Sequence, residues 1–435
     1  MRRLGWVWAM GGLAWASVAL AEDPPLPATM NLSQALGLFK ARGFDLLIAD
    51  AAVQSAEGDA RIASGVANPG LSLSYGTSFY PNCPAGNCAT PPGLGAGISD
   101  SAALMDWISG KRGLRKDVAA AALASARLSR TDAERNLVFQ VKSQFIQVLL
   151  ARDSLKFAKE VADANEKMLD LMVARNKAGA VSDADVLRVK VAKLEADQAT
   201  DQAAQALRSA KVGLAFLLGV RSQVPEFEVE QPELMRFVVP PRLTNATRDS
   251  MLKDAVASRP DLQAQKAQVD RAEAAASLAR RQRLPDITLS ANYAQQGTDP
   301  AAITPPTFTF GLSTNLPVFY QQQGEVQKAD ADYRTQQLQE AKLEAQVVND
   351  LETAWTNFVA TRALVERMEQ GTLLESARRA KDLVFIQYQK GAASLLDYLS
   401  AQAQFTASMV EYLNDLTNYW TAVFALEKAA GTELR

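Results

Sequence analysis

Three segments of the chain alternate between apolar and neutral-polar residues, the period-2 signature of a strand with one oily face. Across residues 307–316, Phe308, Phe310, Leu312 and Leu316 share one face, and Thr307, Thr309, Ser313 and Asn315 the other. Residues 286–294 set Ile287, Leu289 and Tyr293 against Thr288, Ser290 and Asn292, and residues 71–79 set Leu71, Leu73, Tyr75 and Phe79 against Ser72, Ser74 and Ser78. A fourth strand is expected around residues 102–108 from its place in the chain, since its own alternation is poor. Most of the rest has a helical pattern. Prolines fall only within residues 24–92 and 225–317, leaving two proline-free windows rich in Ala, Leu, Gln, Lys, Glu and Arg, the good helix formers. These windows predict rods at residues 114–178 and 323–390, each roughly 65 residues or about 98 Å long. Returning helices are predicted at 183–218 and 395–430, and shorter leading helices at 31–64 and 248–283. A leading and a returning helix stacked end to end match one rod in length and would lie alongside it. Rods this long pack laterally, as coiled-coil neighbours do.

The pattern is written twice. Pro69 opens Leu71-Ser-Leu-Ser74, and 216 residues later Pro285 opens Ile287-Thr-Leu-Ser290. Gly179-Ala-Val-Ser-Asp-Ala-Asp-Val-Leu187 meets Gly391-Ala-Ala-Ser-Leu-Leu-Asp-Tyr-Leu399 at a spacing of 212, which also separates Gly219 from Gly431. A register kept this well marks an internal duplication. The expected organisation is a signal peptide at 1–21, a first repeat at 22–224, a linker at 225–247 and a second repeat at 248–435.

Residues 1–21 read as a secretory signal, with Arg2 and Arg3 before an apolar run and Ala19-Leu20-Ala21 as the cleavage site; a retained anchor is the competing reading. Glu22 follows the cut, so no lipid anchor on cysteine is expected. Charge adds little: the 46 basic and 48 acidic residues nearly balance, with no basic cluster to suggest nucleic acid. The chain has no histidine, which removes the usual general base, the Ser-His and Cys-His nucleophile systems and the commonest zinc ligand. No phosphate-binding loop is present, and Gly93-Leu-Gly-Ala-Gly97 beside Pro91-Pro92 reads as a flexible loop. No enzyme activity, catalytic residue, metal site or cofactor is expected.

With export expected and no other sheet to pack on, segments of about 10 residues with one apolar face suit transmembrane barrel strands better than soluble hairpins. Four strands cannot close a barrel, for which about 8 is the minimum, and open edges are forbidden in lipid. Several copies must therefore pool their strands.

At this point the chain resembles the TolC-like outer-membrane efflux proteins (outer membrane factors), over residues 31–431. The residues that carry the likeness are Asn68-Pro69 and Leu284-Pro285, Arg259-Pro260-Asp261-Leu262, Gly110-Lys111-Arg112 and the two Gly-x-x-Ser-x-x-Asp turns. The first copy departs at Gly43-Phe44, where the family usually has a proline-led pair, which bears only on a local helix break. The resemblance implies a mainly α fold with a β-barrel part. Four strands from each chain of a homotrimer would form a 12-stranded barrel in outer-membrane lipid, and duplicated helical hairpins would form a periplasmic α-barrel. It implies a passive exit duct serving a periplasmic adaptor (membrane fusion) protein and an inner-membrane transporter, for drugs, small molecules or metal ions. The duct of a type I protein secretion system, or a soluble coiled-coil adaptor, is the alternative; an adaptor has one hairpin flanked by small β-domains rather than two in register with strand pairs.

Two readings attach to the turns. Ser182 with Asp185, and Ser394 with Asp397, fit a helix N-cap with an acidic third residue. By resemblance, Asp185, Asp397, Tyr388 and the turn glycines Gly179 and Gly391 also stand where the family builds its periplasmic gate and adaptor contact. Ala393 and Ser400 replace an arginine and an aspartate that often complete that gate. Cys83 and Cys88, in the loop between the first two strands, are expected to form a small-loop disulfide in an exported protein rather than a metal site.

Overall fold

A computed structural model describes residues 26–76, 93–100, 103–221, 223–244, 246–296 and 305–434. The expected signal and the Cys83–Cys88 pair lie outside them.

The chain begins with β1 (Thr29–Met30), α1 (Leu32–Arg42) and α2 (Phe44–Ser64), followed by β2 (Gly70–Gly76) and β3 (Gly93–Asp100). A short α3 (Ala103–Ile108) leads into α4 (Lys111–Lys177) and its returning partner α5 (Asp183–Leu217). The second half carries β4 (Glu228–Val229), α6 (Pro241–Thr244), α7 (Arg248–Ser258), α8 (Pro260–Arg281), β5 (Ile287–Gln296) and β6 (Thr307–Thr314). It closes with α9 (Gln323–Gln370), α10 (Leu373–Gln389) and α11 (Leu395–Ala430).

Helix α4 runs unbroken for 67 residues, about 100 Å at the usual rise. Helices α2 and α5 lie along it, as the lengths required, and α8 and α11 lie along α9. Helices α8 and α11 also pack on α4, which joins the two halves. Where the elements meet midway, a large apolar core gathers Phe39, Phe145, Leu149, Leu214, Phe358, Tyr419 and Phe424, each at most 2% exposed. The two-residue strands β1 and β4 pair in parallel beside it. Among the described residues no helix is long and apolar enough to cross a membrane.

Three expectations change. Residues 103–108 are helical, because Asp100 Oδ1 and Oδ2 accept from the N–H groups of Ala103 and Leu104 at 2.9 and 3.0 Å and so start α3. The strand lies earlier, at β3, in the glycine cluster expected to be a loop. Its period 2 is present but disguised: Gly93, Gly95 and Gly97 mark one face, Leu94, Ala96 and Ile98 the other. The second rod is not continuous either. It breaks between α9 and α10 at Gly371 and Thr372, the latter left-handed at φ 45° and ψ 38°.

The leading helices also divide, at Gly43 and at Arg259-Pro260. Gly43 (φ −59°, ψ 123°) and Arg259 (φ −60°, ψ 125°) adopt nearly the same backbone, and each N–H bonds the carbonyl four residues back. The first joint therefore forms without a proline.

Candidate functional site: the sheet and the hairpin turns

The four long strands form one antiparallel sheet in the order β2-β3-β5-β6. Its register aligns Leu71, Ile98, Ala291 and Phe310 across the sheet, and Leu73, Ala96, Tyr293 and Phe308 in the next apolar row. This apolar face stands open: Leu71 is 74% exposed, Leu73 77%, Phe310 82%. The opposite face carries Ser72, Ser74, Ser290, Asn292, Thr309 and Ser313 among glycines. Strands β2 and β6 are both edges, so their outer backbone groups lack strand partners among the described residues. The helices all attach at one end of the sheet, next to Gly70, Asp100, Ile287 and Thr314.

The hairpin turns lie at the far end of the helices. Helix α4 ends on Arg175 and Lys177, cations suited to the negative end of a helix dipole. Gly179 then takes φ 73°, and Gly391 repeats it at φ 74° after α10. A left-handed residue here lets the next N–H reach back over the helix end: Ala180 N–H donates to Arg175 O at 2.9 Å, Ala392 N–H to Gln387 O at 2.8 Å. Both N-caps form, since Asp185 N–H donates to Ser182 Oγ at 3.2 Å and Asp397 N–H to Ser394 Oγ at 3.1 Å.

Only the second turn closes the reciprocal box, with Ser394 N–H donating to Asp397 Oδ2 at 2.9 Å. Asp185 instead accepts from Ser182 Oγ at 2.8 Å and pairs with Arg188 at 3.2 Å. The Ser394 hydroxyl, then its backbone N–H, hold the Asp397 carboxyl below the usual aspartate range.

A small apolar core joins the two turns: Met168, Met172 and Val189 from the first hairpin, Tyr388, Leu395 and Tyr398 from the second. The Tyr388 hydroxyl donates to Met172 Sδ at 3.2 Å. Arg175 lies 5.7 Å from the Tyr388 ring centroid, and the Tyr398 ring stacks on the other ring at 6.4 Å. Burial, aided by the charge of Asp382, raises the Tyr398 phenol above its ordinary pKa. The structure thus brings Tyr388 to a thioether across the hairpins and keeps Asp397 on its own cap. Met172, Arg175 and Tyr398 were not singled out from sequence; a Met four residues after another Met on a helix reads as ordinary core.

Midway along the helices, the Arg259-Pro-Asp-Leu motif makes a clasp. Arg259, 3% exposed, donates to Asp261 through Nε at 3.1 Å and Nη2 at 2.6 Å, to Asp350 at 3.3 Å and to the Ala429 carbonyl near the end of α11 at 3.4 Å. Arg135 bonds the Lys428 carbonyl and approaches Asp261 at 3.5 Å. Burial pushes the Asp261 carboxyl up, but Arg259, Arg135 and the Leu262 N–H outweigh it and hold the group below its ordinary value. Among the described residues no group of three or more His, Cys, Asp or Glu could hold a metal ion.

Residues 35–220 and 251–432, one stretch in each half, match the outer membrane efflux protein family. The chain belongs to that family. As an outer membrane efflux protein it is a channel subunit of the outer membrane that extends into the periplasm, and not an enzyme. It is 24% identical over 324 residues, 74% of each chain, to the cobalt-zinc-cadmium resistance protein CzcC of Cupriavidus metallidurans. To the pyoverdine export outer membrane protein OpmQ of Pseudomonas aeruginosa it is 25% identical over 380 residues, 84% of this chain and 77% of that one. Its fold matches the CmeC outer membrane channel of Campylobacter jejuni with a TM-score of 0.78 at 15% identity, covering 99% and 93% of the two chains. It matches CusC with a TM-score of 0.76 at 16% identity, covering 92% of each.

Proposed function

We propose that three copies of this chain assemble into the exit duct of a tripartite efflux system. Each would add four strands to a 12-stranded barrel in outer-membrane lipid, with the helices continuing as a tunnel through the periplasm. The observation that supports this reading is the sheet, whose apolar face is exposed while both of its edges are unpaired among the described residues. In lipid the apolar face needs no cover, but the edges do; pairing β6 of one copy with β2 of the next satisfies them. Members of this family work as trimeric channels with an adaptor and an inner-membrane pump. The turns at Gly179 and Gly391 are the end offered to such an adaptor, and Asp185, Asp397 and Tyr388 form the mouth that opens there. Relatives named for cobalt, zinc and cadmium resistance and for pyoverdine export favour a small solute as cargo over a protein.

The test is assembly in the membrane. Wild-type protein should partition into outer-membrane detergent extracts as a heat-labile trimer that conducts in planar bilayers. Phe310→Arg should lose assembly, by about 2–4 kcal/mol near the bilayer midplane, whereas Thr309→Arg on the polar face should be tolerated. Equal yields of trimer from the two variants would count against the assignment of faces.

A further inference from the structure

We infer that the strand-built wall of the exit barrel is charge-blind, so that it passes solutes of either sign and leaves charge discrimination to the helical tunnel. The inference rests on the proposed trimeric barrel, in which the serine- and threonine-bearing face of the sheet lines the lumen. From Ile62 to Ser99 the sequence contains no Asp, Glu, Lys or Arg. Asp100, which ends β3, falls in register with Leu289 on the other face and caps α3. Between Asp286 and Glu325 the sequence contains only Asp299, which lies outside the described residues. The polar face therefore offers only hydroxyls, amides, alanine and glycine: Ser72, Ser74, Ser99, Thr288, Ser290, Asn292, Gln296, Thr307, Thr309 and Ser313 are its polar positions in the register.

These side chains also lie flat. A Cβ on Gly97 would strike Asn292 Oδ1 and Ser72 Oγ, one on Gly95 would strike Ser74 Oγ, and one on Gly311 would come within 2.7 Å of Ser290 Oγ. The Ser72 and Ser290 hydroxyls reach the Gly97 and Gly311 carbonyls at 3.4 and 3.5 Å. The glycines thus leave room for their neighbours to fold onto the wall. Wall thickness matters at this size, because eight strands are just filled by side chains and sixteen leave an aqueous channel. A flat, neutral wall presents no fixed charge on its polar face, and cations, anions and neutral solutes meet the same hydroxyl surface.

The experiment is the reversal potential of the full-length trimer in planar bilayers under a KCl gradient. Asn292→Asp and Asn292→Lys are compared with wild type, and Thr309→Asp with Thr309→Lys on the paired strand in case one position impairs assembly. In an uncharged wall the acidic and basic variants should shift the reversal potential in opposite directions by similar amounts, and both shifts should grow as salt is lowered. With the mouth neutralised by Asp185→Asn and Asp397→Asn, a large shift with one sign and little with the other would reveal a pre-existing field in the wall and overturn the inference. So would conducting channels in which neither sign shifts the potential. Absence of any conductance from wild-type protein would instead count against the trimeric duct.

Discussion

The two halves of the chain follow one plan, yet they solve the same joints differently. Where the leading helix divides, the first half uses Gly43, whose missing side chain lets the Phe39 ring close in; a Cβ there would come within 2.6 Å of that ring. The second half places Arg259 at the equivalent position, 216 residues on, and builds an ion network around it. In the rods, Lys159 and Glu160 continue α4, whereas Gly371 and Thr372, 212 residues on, break the second rod. Duplicated segments keep the backbone path because length and register are shared constraints. The side-chain chemistry at each joint is free to diverge because each joint has different neighbours.

The largest expected effect of breaking this contrast is at Arg259. Arg259→Ala would leave Asp261 with only Arg135 at 3.5 Å and the Leu262 N–H, and take from the Ala429 carbonyl its Arg259 donor, costing about 3 kcal/mol. The first-half position has no charge to lose. Because the Asp261 carboxyl ionises below its unfolded value, its contribution is complete above the unfolded pKa and is lost as pH falls through the folded one. Wild-type stability should therefore fall on acidification below about pH 4, and Arg259→Ala should flatten that slope. Thermal melts across pH, followed by helical circular dichroism, check both; an unchanged slope would remove the clasp from the account.

Gly43→Ala probes the other joint. Its Cβ meets the Phe39 ring and carbonyl, so overpacking should cost about 1–3 kcal/mol with no dependence on pH. A pH-dependent loss at Gly43 would mean that the two joints are not independent.

The sequence made much of this legible. The glycine turns, the caps, the unbroken α4 and the faces of β2, β5 and β6 follow from period, proline placement and capping chemistry. Strand β3 escaped because its polar face is bare glycine, so half of the alternation signal is missing. The break at Gly371-Thr372 escaped because one glycine beside a threonine is a mild helix penalty that local sequence does not turn into a stop. The link from Tyr388 to Met172 spans 216 residues and depends on how two hairpins dock, which no local pattern encodes.

The broken rod gives a smaller effect. Thr372 is a β-branched residue in the left-handed region, a strain of about 1–3 kcal/mol that glycine does not bear. Thr372→Gly should stabilise by about 1 kcal/mol after glycine's greater unfolded-state entropy is offset. Glu160→Gly at the matching place in α4 should cost about 1 kcal/mol. Opposite signs at equivalent positions are the expected result, read from paired melts of the two variants; equal losses would mean that Thr372 is not strained.

The smallest effects belong to the turns, and there the contrast can separate capping from gating. Ser394 sits in a closed box and Ser182 in a one-way cap, so Ser394→Ala should lose more stability than Ser182→Ala, within about 0.5–2 kcal/mol. The aspartates test function. Asp397→Asn keeps an oxygen able to accept from the Ser394 N–H but deletes a charge, while Asp397→Ala deletes both. If carboxylates from three chains crowd the mouth, they repel one another and draw cations to it, so either variant should raise resting conductance or weaken cation preference. If Asp397 is only a cap, Asn should conduct like wild type and only Ala should lower stability. Asp185→Asn sharpens the comparison, because Asp185 already spends one oxygen on Arg188 and presents less free charge. A gating role therefore predicts a larger conductance change at Asp397 than at Asp185, and wild-type conductance in both variants would leave the two turns as helix caps.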